Sequence, residues 1–222
     1  MLRYLFGGHG GGHRPYRSDA ANDMYNLLFC DEPARFASNG APQGALATVL
    51  AEPSDRAALQ GIADDRGIES RIRMLAFNRL RAMGVAVPSK QLLGVILEVP
   101  LAEGLDTLAV FADGRMRYIN QAEKIAIFED APPAIARKAD MVLRAAQAVV
   151  DRIGPANEPR RAPPTDDLTR MTFLVSDGLY FGEAATDTMY ADELGGPVMG
   201  HAAELLHLLV EHALRRQAAK SG

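Results

Sequence analysis

The sequence predicts an α+β fold, in which an antiparallel β-meander sheet of about six strands has amphipathic helices packed against it. Hydrophobic residues recur at helical spacing before, between and after blocks of short apolar runs that alternate with turn residues. The connections between these runs are too short to supply the crossovers of a parallel sheet, so the strands are expected to be antiparallel.

Helices are predicted in the first third of the chain. Ser54 follows Pro53 as a suitable N-cap, and apolar residues then recur at helical spacing. The pattern is strongest over 68–83, where one apolar stripe ends at Gly84, a residue that favours the left-handed conformation at a helix C-terminus. Two packed helices are therefore expected before the sheet.

The middle of the chain changes to strand patterning. Apolar, β-branched runs are expected to be strands at 92–99, 105–112, 115–119 and 124–128. Asp113-Gly114 predicts a type I′ hairpin, because both residues tolerate a positive φ. Two later strands, in 171–175 and 179–181, are joined by the turn residues Ser176-Asp177-Gly178 and can complete the same sheet.

Two amphipathic helices are expected at 133–153 and 197–218. Between the first of them and the later strands lies a Pro-rich loop at 154–167, with four prolines in fourteen residues. The part of the chain after this loop is small for an independent core, which favours a single α+β domain over 24–222. Residues 1–23 are predicted to be a flexible Gly/His-rich arm, with order beginning near Met24.

Composition excludes several classes of function. The chain has 222 residues, of which 48% are hydrophobic and 23% charged, and its net charge of −4 disfavours a nucleic-acid partner. The single cysteine, Cys30, forms no intrachain disulfide and is predicted to be a buried thiol, which suits a reducing cytoplasm. No apolar stretch approaches membrane-spanning length, so we expect a cytoplasmic protein that does not enter a membrane. No motif indicates a cofactor, and none is expected.

Two motifs imitate functional sites. His9-Gly10-Gly11-Gly12 and Ser176 resemble parts of an esterase, but the nucleophile elbow requires glycine at the position of Leu174. Histidine and glutamate residues on the C-terminal helix approach the spacing of metal ligands, yet they share its polar face and predict a solvated surface instead of a metal site. These residues are His201, Glu204, His207 and Glu211.

The candidate contact surface is the segment around 178–183, where two aromatic residues stand between glycines. Glycines allow a ligand or another backbone to approach closely, and the loose run after them contains the apolar residues Met189 and Tyr190. We therefore expect a non-catalytic module that binds a protein partner or a small molecule, and homodimer formation stays open. The candidate binding residues are Tyr180, Phe181, Glu183, Asp177 and Asp187.

An uneven charge distribution leaves a catalytic alternative open. Segment 166–196 holds seven carboxylates and one arginine, whereas 56–90 holds seven basic residues. A small-molecule or metal-assisted hydrolase would use carboxylates of 177–193, with Asp177, Glu183 and Asp187 as base or ligand oxygens. It requires at least two of these carboxylates to converge in one pocket. A weaker alternative is an Arg-rich helix that contacts an anionic partner.

Overall fold

The computed structural model describes residues 12–37, 41–156 and 158–221. Within these ranges the chain forms eight helices and six strands, which confirms the α+β class. The elements are, in chain order, α1 (Asp19–Leu28), α2 (Pro33–Ala37), α3 (Gly44–Leu50), α4 (Arg56–Asp64), α5 (Ser70–Ala82), β1 (Leu92–Leu101), β2 (Gly104–Phe111), β3 (Met116–Ile119), β4 (Ile125–Phe128), α6 (Pro133–Val150), β5 (Leu168–Val175), β6 (Gly178–Ala185), α7 (Thr186–Ala191) and α8 (Gly195–Ser221).

The six strands form one antiparallel sheet with the spatial order β4-β3-β2-β1-β5-β6. Strands β1 to β4 are the predicted meander. Helix α6 then returns the chain, so that β5 pairs with the free side of β1 and β6 becomes the other edge. This arrangement places β1 between β2 and β5 in the interior of the sheet, where both of its faces are covered.

Helices cover the sheet on two sides. Val95 and Ile96 are adjacent on β1 and face opposite sides of the sheet, because side chains alternate along a strand. Ile96 belongs to a core shared with α1, α3, α4 and α5, which we call the N-terminal face. Val95 belongs to a core shared with α6, α7 and α8, the C-terminal face. Burial on both faces explains why the strands read as continuous apolar runs.

Regular structure begins earlier than expected. Helix α1 starts at Asp19, where the Ser18 hydroxyl accepts a hydrogen bond from the backbone N–H of Ala21 and caps the helix. Tyr16 is already buried, and its hydroxyl lies 2.8 Å from that of Thr107. Order therefore starts before Met24, and residues 1–11 of the predicted arm lie outside the described residues.

The structure differs from the predictions at one turn and at one helix N-cap. The loop between β2 and β3 has four residues, and Gly114 has a positive φ of 86° whereas Asp113 does not, so the turn is not type I′. The Asp113 carboxylate instead accepts hydrogen bonds from the backbone N–H groups of Ser70 and Arg115. Similarly, Asp55 and not Ser54 caps α4.

Other predictions agree with the structure. The Pro-rich segment 154–167 contains no helix or strand among its described residues, and Ser176 and Asp177 form the turn between β5 and β6. Cys30 is fully buried, and burial raises the pKa of its thiol. In the described part of the chain, every helix is too short or too polar to cross a membrane.

Candidate functional site

A row of polar side chains crosses the N-terminal face of the sheet. Thr107 on β2 is the register partner of Glu98 on β1, which pairs in turn with Arg170 on β5. Arg170 is the partner of Glu183 on β6. Because register partners on adjacent strands point to the same face, these four side chains lie next to one another. We call them the polar row.

Glu98 is the central residue of the polar row and is fully buried. The Tyr25 hydroxyl of α1 donates a hydrogen bond of 2.6 Å to its Oε1, whereas Oε2 has no hydrogen-bond partner among the described residues. Burial raises the pKa of Glu98 above its ordinary value. The Tyr25 hydrogen bond and the charges of Arg170 and Arg160 lower this pKa, but burial has the larger effect. The carboxyl therefore binds a proton more readily than an exposed glutamate does.

Arg170 connects the polar row to the Pro-rich segment. Its Nε donates a hydrogen bond of 2.7 Å to Oε2 of Glu183, and Nη2 donates to the same oxygen. Its Nη1 donates a hydrogen bond of 2.7 Å to the backbone carbonyl of Ala162. The described residues of 154–167 are thereby held over the polar row, and we call them the covering loop.

Arg160 fastens the covering loop to α1 and the residues after it. Its Nε donates to Oδ2 of Asp31 at 2.6 Å, and its Nη2 donates to Oδ1 of Asn26 at 3.0 Å. The guanidinium carbon lies 4.1 Å from the ring centroid of Phe29 and 5.5 Å from that of Tyr25. Nη1 of Arg160 and Oδ1 of Asp31 are buried without a hydrogen-bond partner in the described part of the chain.

The space under the covering loop is small. A cavity of about 20 Å³ lies beside Arg160, Arg161, Arg170, Thr172 and Phe181. A cavity of this size accommodates about one water molecule. The polar row thus has the buried carboxyl and arginines typical of acid–base sites, but an organic substrate has no room to reach them.

The predicted binding residues do not form one site. Phe181 and Glu183 lie together under the covering loop, where the guanidinium carbon of Arg161 is 4.4 Å from the Phe181 ring centroid. Tyr180 is buried in the core of the C-terminal face, and its hydroxyl donates to Oδ2 of Asp177 at 3.2 Å.

Asp187 is exposed on α7 and takes part in neither group. Asp177 precedes β6 and Asp187 follows it, so the length of an eight-residue strand, about 26 Å, separates them. The carboxylates Asp177, Glu183 and Asp187 therefore do not converge in one pocket. Within the described ranges, His, Cys, Asp and Glu side chains form no group of three or more that could hold a metal ion.

Several arginines of the basic segment contact their own chain. Arg71 pairs with Glu69, and Arg79 pairs with Glu52. Arg81 donates through Nη1 to the backbone carbonyl of Ser176 at 2.5 Å, which is where the basic and acidic segments meet. That contact is a hydrogen bond to a turn, and it creates no cleft between opposite charges.

The C-terminal face carries a second candidate site, an open groove of about 230 Å³ between α7, α8 and the ends of the strands. Its walls are mostly apolar. Tyr190 is 47% exposed at its edge. We call it the apolar groove, and its main lining residues are Leu97, Val99, Leu101, Asp106, Leu108, Tyr118, Tyr190, Met199, Ala203 and Leu206.

One carboxylate lies at the edge of the apolar groove. Oδ2 of Asp106 accepts a hydrogen bond of 2.6 Å from the Tyr118 hydroxyl, and Oδ1 accepts one of 2.7 Å from the backbone N–H of Gln121. Burial raises the pKa of Tyr118, so its hydroxyl stays protonated and donates at neutral pH. A carboxylate has about four acceptor positions, and these bonds use two of them.

Sequence patterns indicated only part of these sites. The run expected to be loose with apolar residues is helix α7, in which Met189 is buried and Tyr190 lines the apolar groove. Glu98 stands alone as a charge within an apolar strand, and that signal could have identified the polar row. Tyr25 and Arg160 come from distant segments, and a single sequence does not show that they meet.

Comparison with protein families, with curated proteins and with solved structures finds no match to the chain. The arguments about function therefore rest on the geometry of the polar row and of the apolar groove.

Proposed function

We propose that the protein is a non-catalytic binding module that takes a small, mainly apolar molecule in the apolar groove. The observation that carries this proposal is the combination of an open volume of about 230 Å³, walls of aliphatic and aromatic side chains, and one carboxylate at the edge. Small-molecule sites are typically concave and apolar, with a few polar groups that orient the ligand.

The volume and chemistry of the apolar groove define a ligand class. A cavity of about 150 Å³ accommodates benzene, so this groove has room for a substituted ring or a short acyl chain. A protonated amine on such a ligand can form a charge-assisted hydrogen bond to a free acceptor position of Asp106. A carboxylate on the same chain would be repelled by Asp106. The favoured ligand is therefore an apolar amine.

Binding is better supported than catalysis. The polar row contains a carboxyl whose pKa is raised by burial, that of Glu98, but the cavity beside the row holds about one water molecule. The apolar groove is open, but the only carboxylate among its described lining residues is Asp106, which already accepts two hydrogen bonds. A hydrolase that uses Asp177, Glu183 and Asp187 would need them to converge, and they lie along the whole length of β6.

The experiment compares three probes with the same chain and different head groups: hexylamine, hexanol and hexanoate. Isothermal titration calorimetry should give the order hexylamine, then hexanol, then hexanoate, with hexylamine at least about tenfold tighter than hexanoate, because a charged hydrogen bond contributes about 1.5–3 kcal/mol. In Asp106→Asn the preference for the amine over hexanol should disappear while hexanol still binds.

Filling the groove provides the matched control. Ala203 is exposed on α8 and lines the apolar groove, so Ala203→Phe should occupy it without disturbing the core. Ala136→Phe places the same ring at an exposed position of α6 that does not line the groove. We expect Ala203→Phe to abolish hexanol binding and Ala136→Phe to retain it. Equal binding by the two variants, or no binding of any probe to the wild type, would contradict the proposal.

A further inference from the structure

The side chain of Arg160 lies in a pocket whose walls come from α1 and the residues directly after it. Asp31 and Asn26 accept hydrogen bonds from its nitrogens, and the rings of Phe29 and Tyr25 lie beside its guanidinium carbon. Only 6% of the Arg160 side chain is exposed. A carboxylate and aromatic rings are the partners that a guanidinium prefers in proteins. We call Tyr25, Asn26, Phe29 and Asp31 the guanidinium pocket.

The guanidinium pocket is held together by contacts that do not involve Arg160. The Tyr25 hydroxyl donates to Glu98, which fixes the position of the Tyr25 ring. The amide nitrogen of Asn26 donates a hydrogen bond of 2.7 Å to the backbone carbonyl of Asn22, so the amide oxygen is directed to Arg160. Walls that are positioned in advance lower the cost of binding. We therefore expect the pocket to keep its shape when Arg160 leaves it.

Arg160 fits the guanidinium pocket imperfectly. A guanidinium and a carboxylate often form two parallel hydrogen bonds. Here Nε of Arg160 bonds to Oδ2 of Asp31, but Nη1 of Arg160 and Oδ1 of Asp31 are both buried without a hydrogen-bond partner among the described residues. Buried polar atoms without a partner destabilise the state that contains them. A guanidinium that is not attached to the covering loop has the freedom to turn and use both oxygens.

Arg160 reaches the guanidinium pocket from the covering loop, which forms no helix or strand among its described residues. Its neighbours Pro159, Arg161 and Ala162 are all exposed. Beside the contacts of Arg160 itself, this part of the loop is held by the hydrogen bond from Arg170 to the carbonyl of Ala162. Segments with exposed backbone and few apolar contacts open at low cost in free energy. Arg160 can therefore leave its pocket while the core stays folded.

We propose that Arg160 is an internal ligand of the guanidinium pocket, and that the alkylguanidinium group of a second molecule binds there in its place. Asp31 requires a positive charge, and the rings of Tyr25 and Phe29 favour a planar cation that stacks, which a guanidinium is and an ammonium is not. A small free guanidine and an arginine side chain of a peptide both present this group. The tethered Arg160 competes at an effective concentration on the order of millimolar, so the covering loop acts as an autoinhibitory contact.

The first experiment removes the internal ligand and supplies its missing atoms. Arg160→Ala deletes the atoms of N-ethylguanidinium, which should bind the variant with a Kd on the order of 1 mM, from one charged hydrogen bond and stacking on the rings. At about 30 mM it should raise the Tm of the variant by about 4–8 °C. N-Ethylurea has the same shape without the charge, and it should bind at least about tenfold more weakly.

Two variants provide the controls. Arg161 is the matched arginine, because its guanidinium carbon lies 4.4 Å from the ring centroid of Phe181 while 47% of its side chain is exposed. Arg161→Ala should respond to N-ethylguanidinium no more than the wild type does. Arg160→Ala/Asp31→Asn has no unpaired charge in the pocket, so it should be more stable than Arg160→Ala and should lose the preference for N-ethylguanidinium over N-ethylurea.

The second experiment uses the wild type and does not depend on the folding of a variant. The Nε–H group of Arg160 bonds to Asp31 beside the Phe29 ring, and its NMR signal is assigned by its absence from the spectrum of Arg160→Ala. N-Ethylguanidinium should displace this signal saturably up to about 100 mM, with a Kd about tenfold weaker than in Arg160→Ala, because Arg160 competes. N-Ethylurea and sodium chloride at the same concentration should leave it in place.

Free L-arginine and the capped tripeptide acetyl-Gly-Arg-Gly-amide distinguish the two sources of the ligand. Binding of L-arginine alone to Arg160→Ala supports a small molecule, and binding of both supports the side chain of a peptide. Equal affinity of Arg160→Ala for N-ethylguanidinium and N-ethylurea, or a wild-type Arg160 signal that does not move, overturns the proposal and leaves Arg160 as a structural clamp. Tyr25 and Phe29 belong to the N-terminal face, so that outcome leaves the test of the apolar groove unaffected.

Discussion

Replacing Tyr25 by phenylalanine should destabilise the protein more than the same replacement at Tyr16, and the excess should depend on pH. Both hydroxyls are buried, and the two rings lie with their centroids 6.0 Å apart. The Tyr25 hydroxyl donates to the buried carboxyl of Glu98, whereas the Tyr16 hydroxyl bonds to that of Thr107. The two variants therefore remove the same atom from similar surroundings, and only the charge of the partner differs.

The magnitude follows from the hydrogen bonds of Glu98. A hydrogen bond between neutral groups contributes about 1 kcal/mol, and one to a charged group about 1.5–3 kcal/mol. Because Oε2 of Glu98 has no partner among the described residues, loss of the Tyr25 hydroxyl leaves the carboxyl without a hydrogen bond there. We expect Tyr25→Phe to cost about 3 kcal/mol near pH 8 and Tyr16→Phe about 1 kcal/mol. In a chain of this size the first corresponds to a fall in Tm of about 6–12 °C.

The sign of the pH dependence follows from the pKa of Glu98. Burial raises that pKa above its ordinary value of 4.5, and the Tyr25 hydroxyl favours the charged form. As the pH falls through the raised pKa, the carboxyl becomes neutral in the folded protein and its bond to Tyr25 weakens. The deficit of Tyr25→Phe should therefore shrink towards that of Tyr16→Phe.

Urea unfolding between about pH 5 and pH 8, followed by circular dichroism, measures the free energy of unfolding of both variants and of the wild type. Tyr16→Phe is the matched control, because its neutral partner gives a deficit that does not change with pH. Equal losses for the two variants at pH 8, or parallel losses at every pH, would refute the charged hydrogen bond at Glu98.

Three further predictions concern the same framework. Glu98→Gln removes a carboxyl whose raised pKa makes the wild type less stable as the pH rises above 4.5. The free energy of unfolding of the variant, relative to that of the wild type, should therefore increase with pH. The slope should be at most about 1.4 kcal/mol per pH unit. Arg160→Met releases the covering loop, and limited proteolysis should show faster tryptic cleavage after Arg161 than in the wild type. Gly94→Ala places a Cβ 3.1 Å from the carbonyl oxygen of Val110, and thermal unfolding should show a loss of about 1–3 kcal/mol.

Much of the fold could be predicted from the sequence because its signals are local. The strand runs near 92–99 and 105–112 and the helix near 133–153 rest on periodicity within a few residues, and the structure places elements at all three. The type of the turn at Asp113-Gly114 was harder to predict, because an aspartate can either adopt a positive φ in the turn or accept hydrogen bonds from backbone N–H groups with its side chain. Only the packed structure shows which of them applies.

The candidate sites were harder to predict because their residues come from distant segments. The polar row joins β1, β2, β5 and β6, and its cover comes from α1 and the covering loop. Register across four strands is a tertiary property that no spacing within one segment reveals. Glu183 and Phe181 were expected near a contact surface on the strength of neighbouring glycines, but the structure shows them under the covering loop, paired with Arg170 and Arg161.

The two faces of the sheet have different roles in this interpretation. On the N-terminal face, hydrogen bonds of a buried carboxyl and two largely buried arginines hold α1 and the covering loop against the sheet. On the C-terminal face, the apolar groove is open between α7, α8 and the strand ends, and the proposed ligand contacts Leu206 of α8 there. Glu98 and Thr107 of the polar row are next in sequence to Val99 and Asp106 of the apolar groove, so the contacts that hold the polar row also hold two strands of the groove wall.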